Sequence, residues 1–98
     1  MREYIHAHLA EDLSVDELAA AVALPVDRFA RTFRTATGRA PYAFVLEQRV
    51  TRARSLLRTT LSLAEVAHTV GFSSQSHFTT AFRKLTGLTP DAYRRGSR

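Results

Sequence analysis

The chain repeats itself, and this constrains its fold more than any other feature. Residues 14–24 read SVDELAAAVAL, and residues 62–72 read SLAEVAHTVGF, an offset of 48. Residues 29–44 read FARTFRTATGRAPYAF, and residues 78–93 read FTTAFRKLTGLTPDAY, an offset of 49. Phe29, Phe33, Arg34, Thr37, Gly38 and Pro41 thus recur as Phe78, Phe82, Arg83, Thr86, Gly87 and Pro90. The second copy has one extra residue between Phe72 and Phe78. Two such copies in 98 residues imply two similar supersecondary units in one domain.

Each copy parses as helix, tight turn, helix. Ser14 with Glu17, and Ser62 with Glu65, have the spacing of a capping box, in which each side chain bonds the other's free backbone amide. Helices should therefore start just after Ser14 and Ser62. Leu18, Ala19 and Val22 make one apolar stripe, and Val66, Ala67 and Val70 the other. The break falls at Ala23-Leu24-Pro25 in the first copy and Gly71-Phe72-Ser73 in the second. Pro25 cannot donate its amide and suits the first turn of a new helix, while Ser73 or Ser74 can cap its counterpart. Each second helix buries a Phe pair, Phe29/Phe33 or Phe78/Phe82, and ends at a Thr-Gly.

Between the units the sequence predicts a long helix from about Pro41 to Arg58. Its apolar stripe is Val45, Leu46, Val50, Ala53, Leu56 and Leu57, and its other faces carry Glu47, Arg49, Arg52, Arg54 and Arg58. A short helix from about Arg2 to Leu9 opens the chain, and Pro90 starts a last one ending near Arg94. No segment alternates as a strand does. The expected fold is all-α with seven helices, two helix-turn-helix subdomains of homeodomain-like, three-helix type joined by a linker helix. The expected division is 1–39, 40–59 and 60–95, with a frayed tail at 96–98.

Charge adds a partner class. Residues 1–27 carry one base and six acids, a net of −5, while residues 28–98 carry thirteen bases and three acids, a net of +10. Basic charge concentrated in one part of a small domain points to a polyanion, most often nucleic acid. Thirteen of the fourteen bases are Arg, which suits phosphate and guanine recognition, although the coding bias of a GC-rich genome would give the same excess. The absence of Cys excludes disulfides and thiolate metal sites. No apolar run reaches the ~18 residues of a membrane span, and the acidic N-terminus does not read as a signal peptide, so the expected location is cytoplasmic, at the nucleoid.

Two helices joined by a short turn, with small Ala19 or Ala67 where they cross, form the DNA-binding helix-turn-helix pattern. Gly71 suits the second turn. Ala23 takes its place in the first, so that turn is either strained or differently shaped. At this point the sequence closely resembles the DNA-binding domain of the AraC/XylS family of bacterial transcription regulators, over about residues 3–95. The most specific matches are Val66-Ala67, Gly71-Phe72, Phe78, Phe82-Arg83, Gly87, Pro90 and Tyr93-Arg94, with Arg49-Val50, Ala53 and Leu56-Leu57 in the linker helix. The resemblance implies a monomeric domain that puts two recognition helices into successive major-groove segments of double-stranded DNA, on an asymmetric site. It also implies transcription regulation, more often activation, through RNA polymerase. It favours an excised C-terminal part of a longer effector-responsive regulator over a complete single-domain one.

By the family's pattern, positions 27, 30 and 31 face base edges. Arg31 can bond guanine O6 and N7 together, Ala30 can pack on a thymine methyl, and Asp27 can accept from a cytosine amino group. Asp27 equally suits the dipole of its helix's first turn. In the second recognition helix, Gln75 can pair with adenine and Ser76 with either kind of base. Many relatives have Arg where this chain has Thr80, which puts tight base reading by the second unit in doubt. Phosphate candidates are Arg34, Arg83 and Lys84, then Arg28, Arg39, His77 and Thr79, with the free amides after Ser14 and Ser62. No cofactor or metal is expected. His6 and His8 are two apart and fall on different sides of a helix. His68 and His77 have no ligand partner at suitable spacing, and no nucleophile elbow or Gly-rich phosphate loop is present. An enzyme is therefore excluded. An all-α protein-interaction module is the remaining alternative, and it would show no salt-dependent duplex binding.

Overall fold

The computed structural model describes residues 1–11 and 13–96. Seven helices, and no strand, occur among the described residues: α1 (Arg2–Ala7), α2 (Val15–Ala21), α3 (Val26–Thr37), α4 (Pro41–Leu56), α5 (Leu63–Thr69), α6 (Gln75–Thr86) and α7 (Pro90–Gly96). The all-α expectation holds. Gly96 is the last residue of α7, and the rest of the expected tail, Ser97 and Arg98, lies outside the described residues.

The helix starts follow from local chemistry. The Ser14 hydroxyl accepts from the Glu17 amide at 3.1 Å, and Ser62 accepts from Glu65 at 3.0 Å. This is the Ser half of each capping box. Ser74 caps α6 by accepting from the His77 amide. Pro25 sits one residue before α3, not inside its first turn. The two Thr-Gly ends are built alike: Thr37 and Thr86 donate to the carbonyls of Phe33 and Phe82, and accept from the amides of Arg39 and Leu88. Arg39 and Leu88 each follow a left-handed glycine.

Both turns between the paired helices are Schellman turns. Leu24 donates to Ala19 and Ala23 to Ala20, while Phe72 donates to Ala67 and Gly71 to His68. Ala23 takes φ 56 where Gly71 takes φ 102. The first turn is thus strained, not reshaped, at a cost of roughly 1–2 kcal/mol for a left-handed L-residue.

Two separate cores fill the molecule, which measures 44 × 21 × 21 Å. One joins Ile5, Leu9, Leu13, Leu18, Ala19, Phe29, Phe33, Phe44 and Val45. The other joins Val50, Ala53, Leu57, Val66, Ala67, Val70, Phe72, Phe78, Ala81 and Phe82. Matching ring contacts recur, Phe33 on Phe44 at 5.3 Å and Phe82 on Tyr93 at 5.4 Å, both edge-to-face.

The linker helix corrects the sequence reading. Its buried residues do not form one stripe. Pro41, Phe44 and Val45 lie, by the 3.6-residue period, nearly opposite Val50, Ala53 and Leu57. Phe44 and Val45 belong to one core, and Val50, Ala53 and Leu57 to the other. Leu46 and Leu56 are only half-buried. Arg49, expected on an outer face, is 4% exposed, because it sits between the two apolar faces and turns inward.

Candidate nucleic-acid interface

In α3 the period of the helix sets the outward face. Phe29 and Phe33 are buried, so Arg31 stands on the opposite side with Asp27, Arg34 and Thr35 beside it. Asp27, Arg28, Arg31 and Arg34 are exposed, and Ala30 is half-buried at the edge of the face. An open groove of about 490 Å³ runs along this surface, lined by Arg28, Arg31, Thr32, Thr35 and Ala36. Thr35 escaped the sequence reading, yet its repeat-mate Lys84 did not; aligning the two copies position by position would have found it.

In α6, Phe78, Ala81 and Phe82 are buried. Gln75, Ser76, Thr80, Arg83 and Lys84 are exposed, and Thr79 is half-buried. Basic charge is distributed differently on the two helices. On α3 it begins in the first turn with Arg28 and continues through Arg31 and Arg34, whereas on α6 it is confined to Arg83 and Lys84 in the last turn. None of these five cations makes an ion pair among the described residues, so all five are available to an anionic partner.

The remaining candidates are more committed. Arg39 Nε donates to Glu47 Oε1 at 2.7 Å, so a phosphate would have to compete with that carboxylate. The His77 ring stands edge-on to Phe72 at 5.1 Å and is half-buried. Ser14 and Ser62 spend their hydroxyls as caps at the starts of α2 and α5. The structure thus gathers Asp27, Arg28, Ala30, Arg31 and Arg34 on one helix face and Gln75, Ser76, Thr79, Thr80, Arg83 and Lys84 on its repeat-mate. Ser14, Ser62 and Arg39 lie on neighbouring elements.

Two arginines do structural work that their charge disguises. Arg94 Nε donates to the Leu57 carbonyl at 2.9 Å, and its Nη2 to the Leu61 carbonyl. Arg49 Nε donates to the Leu9 carbonyl at 3.2 Å, and its Nη2 to the Glu11 carbonyl at 2.8 Å. Leu9 and Leu57 are repeat-mates, so each unit has the same carbonyl held by an arginine from a later helix. Only the mismatch between the apolar faces of α4 would have signalled this for Arg49.

Residues 3–96 match a helix-turn-helix domain family. The chain is 38% identical over 91 residues to the probable transcriptional regulator LumQ of Photobacterium leiognathi, covering 92% of this chain and 37% of that protein. It is 34% identical over 96 residues to the arabinose operon regulatory protein of Escherichia coli, covering 96% of this chain and 33% of that protein. The chain therefore spans about a third of the length of these relatives. Its fold is similar to the DNA-binding domain of AdpA, a global transcriptional factor solved with a target DNA. That match has a TM-score of 0.95 and 38% identity, over 98% of this chain and 87% of that one.

Proposed function

Since the chain belongs to the AraC-type helix-turn-helix family, we propose that it reads double-stranded DNA with α3 and α6 in successive major-groove segments, as the DNA-binding part of a transcription regulator. The observation that carries this is the pair of repeat-related, cation-bearing faces on two helices whose other sides are fixed by matching Phe pairs. A molecule 44 Å long can bridge segments about 34 Å apart. The units are taken as residues 1–39 and 60–95 with the linker at 40–59.

Arg31 is the principal base reader, through guanine O6 and N7, with Ala30 beside a thymine methyl. Asp27 accepts from a cytosine amino group or serves only its helix dipole. Gln75, Ser76 and Thr80 face the bases under α6. Arg34, Arg83 and Lys84 hold phosphates, which supply most of the affinity. Arg28, Arg39, His77 and Thr79, and the amides opened by Ser14 and Ser62, add weaker contacts. With Thr80 in place of a base-reading cation, unit two adds more affinity than specificity. The domain binds as a monomer to an asymmetric site, in the bacterial cytoplasm, and acts at promoters on RNA polymerase, as an activator. Among the described residues no helix is long and apolar enough to cross a membrane.

Selection from random duplexes at moderate salt tests the reading. The expected result is one asymmetric site with two blocks a helical turn apart, the α3 block more strongly selected. Failure to enrich any duplex would favour a protein-interaction module.

A further inference from the structure

We propose that Arg49 is a positioning residue that fixes the distance and phase between the two recognition helices, so that the domain accepts one spacing of its two DNA segments. The inference rests on the two-segment reading above.

The two cores do not merge. Phe44 and Val45 end one, and Val50 begins the other on the far side of the same helix. Apolar packing anchors each unit chiefly to its own face of α4, with only half-buried Leu46 of the first half reaching the second core, and leaves their mutual orientation largely to what bridges them. Arg49 lies at that changeover. Its guanidinium binds the Leu9 and Glu11 carbonyls of unit one and stands 5.8 Å from the centre of the Phe72 ring of unit two. A guanidinium is a planar, rigid fork of donors. Held at 4% exposure, it cannot slip without stranding a buried charge, which is costly.

Gly71 closes the contact from the other side. A Cβ there would lie 2.3 Å from the Leu9 carbonyl oxygen and 2.8 Å from Arg49 Nε. Unit two thus presses bare backbone against both partners of the bridge. Its repeat-mate Ala23 makes the same turn with a methyl group, so the turn alone does not require glycine at 71; the close approach of Leu9 and Arg49 does. His8 and Glu11, paired at 2.5 Å, brace the loop that offers the carbonyls.

Two measurements test this on the whole domain. In the first, binding is compared on duplexes carrying both selected segments at the selected spacing and at one base pair more or fewer, and on a duplex carrying the α3 segment alone. Wild type should lose at least about tenfold when the spacing changes. Arg49→Gln should keep the single-segment affinity and bind the three spacings within about twofold of each other. Arg49→Lys, with charge but no fork, should fall between. In the second, paired spin labels on Thr35→Cys and Lys84→Cys, clean additions to a chain with no Cys, report the inter-helix distance without DNA. Arg49→Gln should broaden that distribution. If Arg49→Gln does not fold, Gly71→Ser replaces it in both measurements with the same expectations. A folded variant that keeps the wild-type spacing preference and a narrow distance distribution overturns the proposal. A wild type indifferent to spacing, or unable to bind duplex, overturns the two-segment reading instead, and the label distances still decide whether Arg49 sets the geometry.

Discussion

The two helix-turn-helix units share a backbone plan and differ in how tightly they are filled and what they present. Unit two is the better packed: Phe78 and Phe82 are fully buried, and Val70 and Phe72 close its turn. Unit one has exposed Val22 and half-buried Leu24 at the equivalent places. It also leaves a largely apolar cavity of about 250 Å³ against Phe29, Phe33 and Phe44. In unit two, half-buried Leu46 of α4 packs against the core from outside the repeat. The presented faces run the other way. Unit one offers arginines along its recognition helix, and unit two offers neutral polar groups with two terminal cations. The better-packed unit carries fewer cations on its presented face, so the two units differ in opposite senses in packing and in surface charge.

The largest effects should come from the cores. Phe82→Ala should destabilise the domain by about 3–5 kcal/mol, and Phe33→Ala, beside the cavity, by the lower end of that range or less. Urea unfolding checks the order, and equal losses would break the packing contrast. Next come the turns. Gly71→Ala should cost at least about 2 kcal/mol, from left-handed strain plus overpacking against Leu9 and Arg49, whereas Ala23→Gly should change stability by less than about 1 kcal/mol. Thermal unfolding of the two variants sharpens the comparison at its most local point.

On DNA, Arg31→Ala should cost about 1–3 kcal/mol on the selected site and relax preference at one base pair. Its repeat-mate change, Thr80→Ala, should cost less than half as much. Equal weakening of Arg31→Ala on every sequence would reassign Arg31 to phosphate. The smallest difference concerns Arg34 and Arg83, which are alike in both copies. Each change to Ala should weaken all duplexes and lower the salt slope by about one. Titrations at several salt concentrations check this, and an unchanged slope for either would remove it from the phosphate set.

Much of the fold was legible because it rests on local signals: the Ser caps, the Phe pairs, the Thr-Gly ends and the repeat that ties them together. Residues outside the repeat's strongest blocks were harder to read. Arg49 looked like one more basic residue on a helix rich in them, since a linear apolar stripe cannot show that a helix changes faces midway. Phe44, although inside a repeat block, was missed because it lies off the single stripe drawn through Val50, Ala53 and Leu57. The backbone at Ala23 could not be read because alanine tolerates a left-handed turn only where the surrounding bonds impose it. On the candidate interface, the α3 and α6 faces were readable from the position of the Phe pairs. The prior commitment of Arg39 to Glu47, and of His77 to Phe72, depends on tertiary neighbours and was not.

The divided allegiance of α4 bears on how such domains can be recombined. A cut at the expected division after residue 39 would strip Phe44 and Val45 from unit one, so the units are not interchangeable cassettes. A working chimera between two relatives has to cross over inside the helix, after Val45 and before Val50, and must inherit Arg49 together with the turn it touches. Trading readers therefore means splicing through a continuous helix, where the sequence offers no visible seam.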